Sequence, residues 1–491
     1  MFTAFMNSTD ISSGRAIAEG ALQWPPLIPL AGTARDGPQS SFAVFPALLE
    51  ASEVDAALRI VRDGNLPLDT TEDTVDSMAT FEMYWLSPPN KPKHAAQAPF
   101  RERLASLLRP IVDERVTPLV DARYRAQCAS GCTPCTSLIR RYRPHERRSH
   151  AEHFDLQALV TVVISLSTPG VDFPAGSGLY VSTGAEVKVL GLTAGDALIH
   201  QSTLLHGVAL ADDDDSDDAS DEDGEEDAGS VRQWERWSWI MWYSDSASCA
   251  ERAHLWHQAA ADAAADPLTT FLHAKRLHLD PTAPPMQAAR ARARYLTHAA
   301  TGGFTRAMVD LGMAYKEADG VPRDLTRAAR WWRRACNTAD RAMACFNLGQ
   351  LILESADEIA DEISEEEQRD PVRAAVNLFF AAVADNATDA ASPGRSLAYH
   401  NLGVAHLKGR AVPQDDDLAA RYFGRAGTPT AMRTAAEIHQ RRGRVRAAMR
   451  WMRRAANAGD AHARRVYPIM ASQLHEWDMS QKSERAARDE L

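Results

Sequence analysis

The stretch SHAEHFDLQ, residues 149–157, followed at once by the apolar run ALVTVVISL, decides how the first half of the chain is read. The run is rich in β-branched residues, which suit a buried strand. Successive side chains on a strand point to opposite faces, so His153 and Asp155 would share a face with Phe154 turned the other way. Such a pair is either two arms of a metal site at the mouth of a β-structure or the polar edge of a strand.

Working outward, TSLIRRY, GLYVST, EVKVLGL, DALIHQS and WSWIMWYS are further short segments rich in β-branched or aromatic residues. Gly, Pro, Ser or Asp bounds each of them, and strands at this spacing predict an antiparallel sandwich or jelly roll. Upstream, SFAVFPALLEASEVDAALRIV runs from a strand into an amphipathic helix, with Glu50, Ser52 and Glu53 at its start. A second helical segment is expected over about 98–122, and residues 1–40 read as an irregular lead-in.

At 491 residues the chain is too long for one ordinary core, so two or more domains are expected. With 45% hydrophobic and 24% charged residues it has the composition of a globular protein. No apolar run reaches the length of a membrane span. The net charge of -12 is concentrated in ADDDDSDDASDEDGEEDA (211–228), which holds twelve acidic residues and no basic one. The rest is close to neutral, and no basic patch argues for nucleic-acid binding. The run reads as a solvated loop between the last two strands, where an insertion costs little closure entropy.

Six cysteines are too few for a disulfide-stapled miniature fold. Cys128, Cys132 and Cys135 form a cluster that lacks the second ligand pair of a zinc site, which leaves a loop disulfide or simple small residues as the other readings. The first twenty residues lack the charged start of a signal peptide. The ending Arg488-Asp489-Glu490-Leu491 resembles the KDEL-type address and raises the expectation of an endoplasmic reticulum location.

From about residue 284 the chain is helical and repeats itself. LGMAYKEADGVPRDLTRAARWWRRA (311–335) is echoed by LGVAHLKGRAVPQDDDLAARYFGRA (402–426), with partial copies at 347–382 and 441–461. Small residues at Ala328, Ala329, Ala419 and Ala420 let helices approach, and the aromatics after them fill the gaps. This predicts an α-solenoid of helix pairs, a form that supplies concave protein-binding surfaces. The repeats resemble the Sel-1-like family, with about four units; the second is interrupted by the acidic insertion 354–370. ACNTADRAMACFNLG looks like the cysteine-rich bacterial members, and that likeness implies a disulfide between Cys336 and Cys345. Two small buried residues in a tight helix pair remain the other reading.

A reactive ferrous site needs protein ligands on one face and open positions on the other, which two His and one carboxylate provide. His153 and Asp155 offer two ligands, and GDALIHQSTLLHGVAL offers His200 and His206. VRQWERWSWIMWYS supplies Arg236, placed to pair with a carboxylate. This order of His-x-Asp, later His-Gly and then Arg on an aromatic strand resembles the prolyl 4-hydroxylase-like 2-oxoglutarate/Fe(II) dioxygenases, over about residues 41–246. The resemblance implies iron ligands His153, Asp155 and His206, with Arg236 on the 2-oxoglutarate carboxylate and Tyr142 beside it. It implies Fe(II), 2-oxoglutarate, O2 and ascorbate as cofactors, and hydroxylation of a protein or peptide side chain, proline first.

The gap from His206 to Arg236 is longer than the family's, so Arg232 competes, and His150 with Glu152 is an alternative pair. His145 and His200 read as structural, His200 facing away from the metal. The expected architecture is an α+β jelly roll (double-stranded β-helix) with flanking helices over 41–248, a helical linker over 249–283, an all-α solenoid over 284–470 and a tail over 471–491. A catalytically weak metal-binding scaffold, whose repeats assemble a protein complex, is the competing function.

Overall fold

The computed structural model describes residues 42–63, 68, 80–86, 97–125, 128, 130–143, 149–182, 187–210, 234–245, 266–279, 284–338, 341–384 and 393–474. The lead-in 1–40, the acidic run 211–228, His145, Arg232, Cys249 and the RDEL ending lie outside the described residues. The chain divides into two compact units, Met1–Ala307 and Met308–Leu491. This division falls later than residue 284, because helices Pro267–Leu279 and Pro285–Thr301 pack on each other within the first unit.

In the first unit, strand β1 (Phe42–Phe45) leads into helix α1 (Ala51–Val61), whose start is closed by a reciprocal capping box between Glu50 and Glu53. Strand β2 (Phe81–Leu86) precedes α2 (Ala98–Ile111), a π-helical turn Val112–Val116 and α3 (Thr117–Tyr124). Strands β3 (Cys132–Tyr142), β4 (Ser149–His153), β5 (Val160–Ser165), β6 (Gly178–Ser182) and β7 (Val187–Val189) follow. Then come β8 (Ala197–Gln201), β9 (Leu205–Ala209) and β10 (Arg236–Asp245), and the helices α4 (Pro267–Leu279) and α5 (Pro285–Thr301).

The strands form two sheets, ordered β1-β8-β5-β10-β3-β2 and β4-β9-β6-β7. Every paired neighbour runs antiparallel. Strand alternation sorts the side chains into two layers. Trp237, Trp239, Met241 and Tyr243 of β10 join Val54, Leu58, Leu104 and Leu108 in a core shared with α1 and α2. The opposite parity of the large sheet, including Tyr142, Val163 and Leu198, meets Leu179, Val181 and Val208 of the small sheet in a second core. Each large apolar side chain buried this way contributes about 1.5–3 kcal/mol. Arg236, Ser238 and His200 carry the parity of this second layer, so polar groups enter the space between the sheets.

Cys128 and Cys132 form a disulfide, which removes both from a zinc half-site, and Cys135 is disulfide-bonded as well.

The second unit is helical. Its helices α6 (Thr305–Glu317), whose first turn belongs to the first unit, α7 (Leu325–Cys336), α8 (Ala342–Ser355), α9 (Glu365–Arg369) and α10 (Pro371–Val383) are followed by α11 (Pro393–Lys408) and α12 (Asp416–Ala426). The pair α13 (Pro429–Arg441) and α14 (Val445–Asn457) comes next. One contact recurs: a Cβ on Gly312, Gly349 or Gly403 would stand 2.4, 2.8 or 3.1 Å from the rings of Trp332, Phe379 or Phe423. Each ring lies four residues after a buried alanine, Ala328, Ala375 or Ala419, and so on the same helix face. The Leu-Gly and Ala-Ala-aromatic signatures are therefore two halves of one contact. Cys336 and Cys345 are disulfide-bonded, tying the end of α7 to the start of α8. The acidic insertion folds back on the basic face before and along α7, with Arg323 on Glu358, Arg330 on Glu362 and Arg333 on Glu367.

Candidate metal centre

The site forms where β4 and β9 of the small sheet face β5 and β8 of the large one. His153 and His206 are direct cross-strand partners on β4 and β9, after a register shift between His150 and His153. Asp155 is not on the strand. β4 ends at His153, and Asp155 sits in the turn beyond, where Ala158 N donates to its carbonyl at 3.1 Å. Its carboxylate is fixed by Thr161 of β5, whose hydroxyl donates to Oδ2 at 2.6 Å. Strand periodicity is thus not what aligns His153 with Asp155; the turn and the Thr161 hydroxyl do.

The Nε2 atom of His153 lies 3.6 Å from Asp155 Oδ1, and that of His206 lies 3.5 Å from Asp155 Oδ2. The three prospective ligand atoms all fall within 4.8 Å of one another. Both imidazoles have a defined tautomer. His153 Nδ1 donates to Ala151 O at 2.9 Å and His206 Nδ1 to Leu204 O at 3.1 Å. A carbonyl only accepts, so each Nδ1 carries a proton, and each Nε2 faces the carboxylate. Burial pushes His206 down to about 3, keeping it neutral. Burial alone would raise Asp155, but the imidazoles of His206, His153 and His200 outweigh it and hold the carboxyl well below its usual range. Two imidazole Nε2 atoms and a carboxylate thus converge, a nitrogen and oxygen donor set that suits a metal ion.

His200 does not face away. It shares the parity of Leu198 on β8 and stands across from Thr161, so its Nε2 lies 3.9 Å from Asp155 Oδ2 and its ring 4.5 Å from that of His206. The alternation in DALIHQ carried this signal, since an apolar Leu198 turned inward brings His200 with it. His150 and Glu152 are engaged elsewhere. Arg140 donates from Nη1 to His150 Nδ1 at 3.2 Å, which places the His150 proton on Nε2, the reverse of the other tautomers. Arg140 is itself held by Glu82, and Glu152 accepts from Arg306 at 2.5 Å. The His150 ring stacks on His153 at 4.1 Å.

The loop that bears the ligands is also gripped from outside. Phe154 packs on Phe271 at 6.3 Å, Phe271 on Phe304 at 4.9 Å, and Arg276 donates to Leu156 O at 3.2 Å.

Arg236 opens β10 opposite Tyr142 and is 2% exposed. Its guanidinium lies 5.3 Å from the Tyr142 ring centre and 6.0 Å from that of Phe173. Its Nη1 has no hydrogen-bond partner among the described residues. Burial, reinforced by Arg140, lowers its pKa, yet an arginine stays charged. Sequence reasoning passed over Arg140, though it precedes Tyr142 by two residues and so shares its face.

The Sel1 repeat family model matches residues 305–337, 396–428 and 445–460, so the helical region carries Sel1 repeats. The match passes over the helix pair that holds the acidic insertion. No curated protein matches the chain. Among solved structures, a Sel1 repeat protein from Oxalobacter formigenes is 20% identical with a TM-score of 0.34, covering 44% of this chain and 84% of its own. An oxidoreductase of the 2OG-Fe(II) oxygenase family from Burkholderia pseudomallei is 17% identical with a TM-score of 0.28, covering 41% of this chain and 84% of its own. A prolyl-4-hydroxylase from Pseudomonas putida is 16% identical with a TM-score of 0.25, covering 42% and 92%. One chain is thus similar both to Sel1 repeat proteins and to 2-oxoglutarate/Fe(II) oxygenases.

Proposed function

We propose that the first unit is a 2-oxoglutarate- and Fe(II)-dependent dioxygenase on a jelly-roll (double-stranded β-helix) frame. The observation that carries this reading is the cluster of His153, Asp155 and His206, whose prospective ligand atoms lie within 4.8 Å of one another. These residues would hold the ion. Arg236, a buried cation whose Nη1 has no hydrogen-bond partner among the described residues, would take the far carboxylate of 2-oxoglutarate, with Tyr142 beside it. When bound, ferrous iron with 2-oxoglutarate and O2 supplies the oxidation of a C–H bond, ascorbate keeping the iron reduced. Thr161 orients the Asp155 carboxylate, and the apolar layer around Val163, Leu198 and Val208 excludes water.

The substrate we assign is a protein or peptide side chain, with proline favoured by the motif resemblance, and the Sel1 repeats would recognise the protein that carries it. Disulfides in both units support an oxidising compartment. The test is oxygen-dependent conversion of 2-oxoglutarate to succinate by anaerobically purified, Fe(II)-loaded protein, which needs no known substrate because uncoupled turnover suffices. Succinate formed by wild type and lost in Asp155→Ala and Arg236→Lys supports the reading. No succinate from iron-loaded wild type, with ascorbate and a peptide panel present, moves the function to a metal-binding scaffold.

A further inference from the structure

We propose that the outer face of α14 docks an acidic, isoleucine-bearing segment of a partner protein, in the way that α7 holds the chain's own acidic insertion. The surface lies wholly within the helical unit and is independent of the metal reading above.

The two helices share a motif. Arg-Trp-Trp-Arg-Arg-Ala (330–335) of α7 and Arg-Trp-Met-Arg-Arg-Ala (450–455) of α14 differ only at their third residue. The likeness extends to conformation: the Arg334 guanidinium lies 5.5 Å from the Trp331 ring centre, and that of Arg454 lies 4.8 Å from the Trp451 ring centre. Residues three apart share a helix face, so Arg330 with Arg333, and Arg450 with Arg453, each make one cationic pair. Setting the rings of Trp332, Phe379 and Phe423 in register puts Asn377 and Phe380 of α10, and Arg421 and Gly424 of α12, at these positions. The intervening repeats thus lack the pair.

On α7 both arginines are engaged. The turn Asp357–Glu362 packs on this helix, and Ile359 within it is fully buried. Arg333 grips Glu367 as a fork, donating from Nη1 and Nη2 to Oε1 at 3.2 Å and from Nη2 to Oε2 at 3.1 Å. Arg330 donates from Nε to Glu362 Oε1 at 3.1 Å. On α14, neither Arg450 nor Arg453 makes a hydrogen bond or ion pair among the described residues. Val445 is 47% exposed, whereas Leu325, its counterpart on α7, is 5% exposed. Exposed ion pairs contribute little singly, so an occupant needs several contacts in register. Charge complementarity and the insertion itself define that occupant: carboxylates spaced as Glu362 and Glu367 are, with an apolar side chain such as Ile359 beside them.

The probe is a labelled synthetic peptide of residues 355–370, SADEIADEISEEEQRD, titrated into the full-length chain and followed by fluorescence anisotropy. The tethered insertion holds α7 at an effective concentration on the order of millimolar, so the added peptide reads α14. Saturable binding, weakened by salt and weakened about tenfold or more in R450E/R453E, supports the proposal. R450K/R453K, which keeps both charges, should retain most of the binding, and a peptide with Gln in place of Glu358, Glu362 and Glu367 should lose it. Equal binding to R450E/R453E with unchanged circular dichroism overturns the proposal. If that variant does not fold, the wild type decides alone: equal binding of the Gln peptide overturns the proposal too. No binding to wild type overturns it and leaves the face to the chain's own segment 475–491. Self-association of wild type in sedimentation, abolished by R450E/R453E, gives the face to a second copy and overturns the partner reading.

Discussion

The interior between the two sheets and the interior of the helical repeats bury different chemistry. Between the sheets lie His150, Asp155, His200, His206, Arg140, Glu82 and Arg236, all buried. Inside the repeats lie alanines, leucines and aromatics, with glycine placed where a ring must approach, as at Gly312 and Trp332. Burying polar groups costs stability unless each finds a partner. Glu82, Arg140 and His150 find theirs in one another, whereas the Nε2 of His200 and the Nη1 of Arg236 do not, among the described residues. The sheet unit thus buries polar groups left without partners among the described residues, and the helical unit buries its own apolar packing.

The contrast predicts opposite responses to substitution. The largest effect is expected for Asp155→Ala, which removes the charge that two imidazoles face; Fe(II) affinity falls by more than about a hundredfold, measured by anaerobic titration, since first-sphere loss exceeds the 10–100-fold typical of outer partners. In the repeats, Gly312→Val drives a Cβ into the Trp332 indole and costs about 1–3 kcal/mol by urea denaturation, with Fe(II) affinity unchanged. If both properties moved together, the distinction between the units would fail. Arg236→Met sharpens it further. Removing a buried, incompletely paired charge should leave ligand-free stability equal or higher, by up to a few kcal/mol, while 2-oxoglutarate no longer raises the melting temperature.

A smaller effect concerns pH. The folded-state pKa of His206, about 3, lies below its ordinary 6.5, so between those values the unfolded chain binds the extra proton. Stability of the metal-free first unit should then fall as pH drops below 6.5, by up to about 1.4 kcal/mol per unit. Urea midpoints at pH 7 and pH 5 check this, and His206→Leu should flatten the difference. The smallest change is expected for Phe271→Ala. It loosens the grip on Phe154, and metal affinity falls only a few-fold, with 2-oxoglutarate binding to the remaining holo-protein intact.

Sequence patterning revealed most of the β-segments because valine, isoleucine and aromatics sat between turn residues. It missed β2, FEMYWL, which none of the expected β-segments included. The convergence of His153 with His206 was legible only through the order of motifs, since strand pairing across fifty residues leaves no local trace. Strand alternation is not what brings Asp155 beside the histidines: a turn and the Thr161 hydroxyl set its carboxylate. His200 was misread because a lone histidine was weighed without the parity of Leu198 beside it. In the repeats the sequence named both the glycines and the aromatics, but their mutual contact needed the folded helices.

The most direct test of the central claim is an anaerobic titration of metal-free protein with Fe(II), followed by calorimetry, in wild type and Asp155→Ala. The account predicts one equivalent bound per wild-type chain and none by the variant at the same concentrations, with unchanged circular dichroism. No stoichiometric uptake by wild type, or equal uptake by a folded Asp155→Ala, would contradict it.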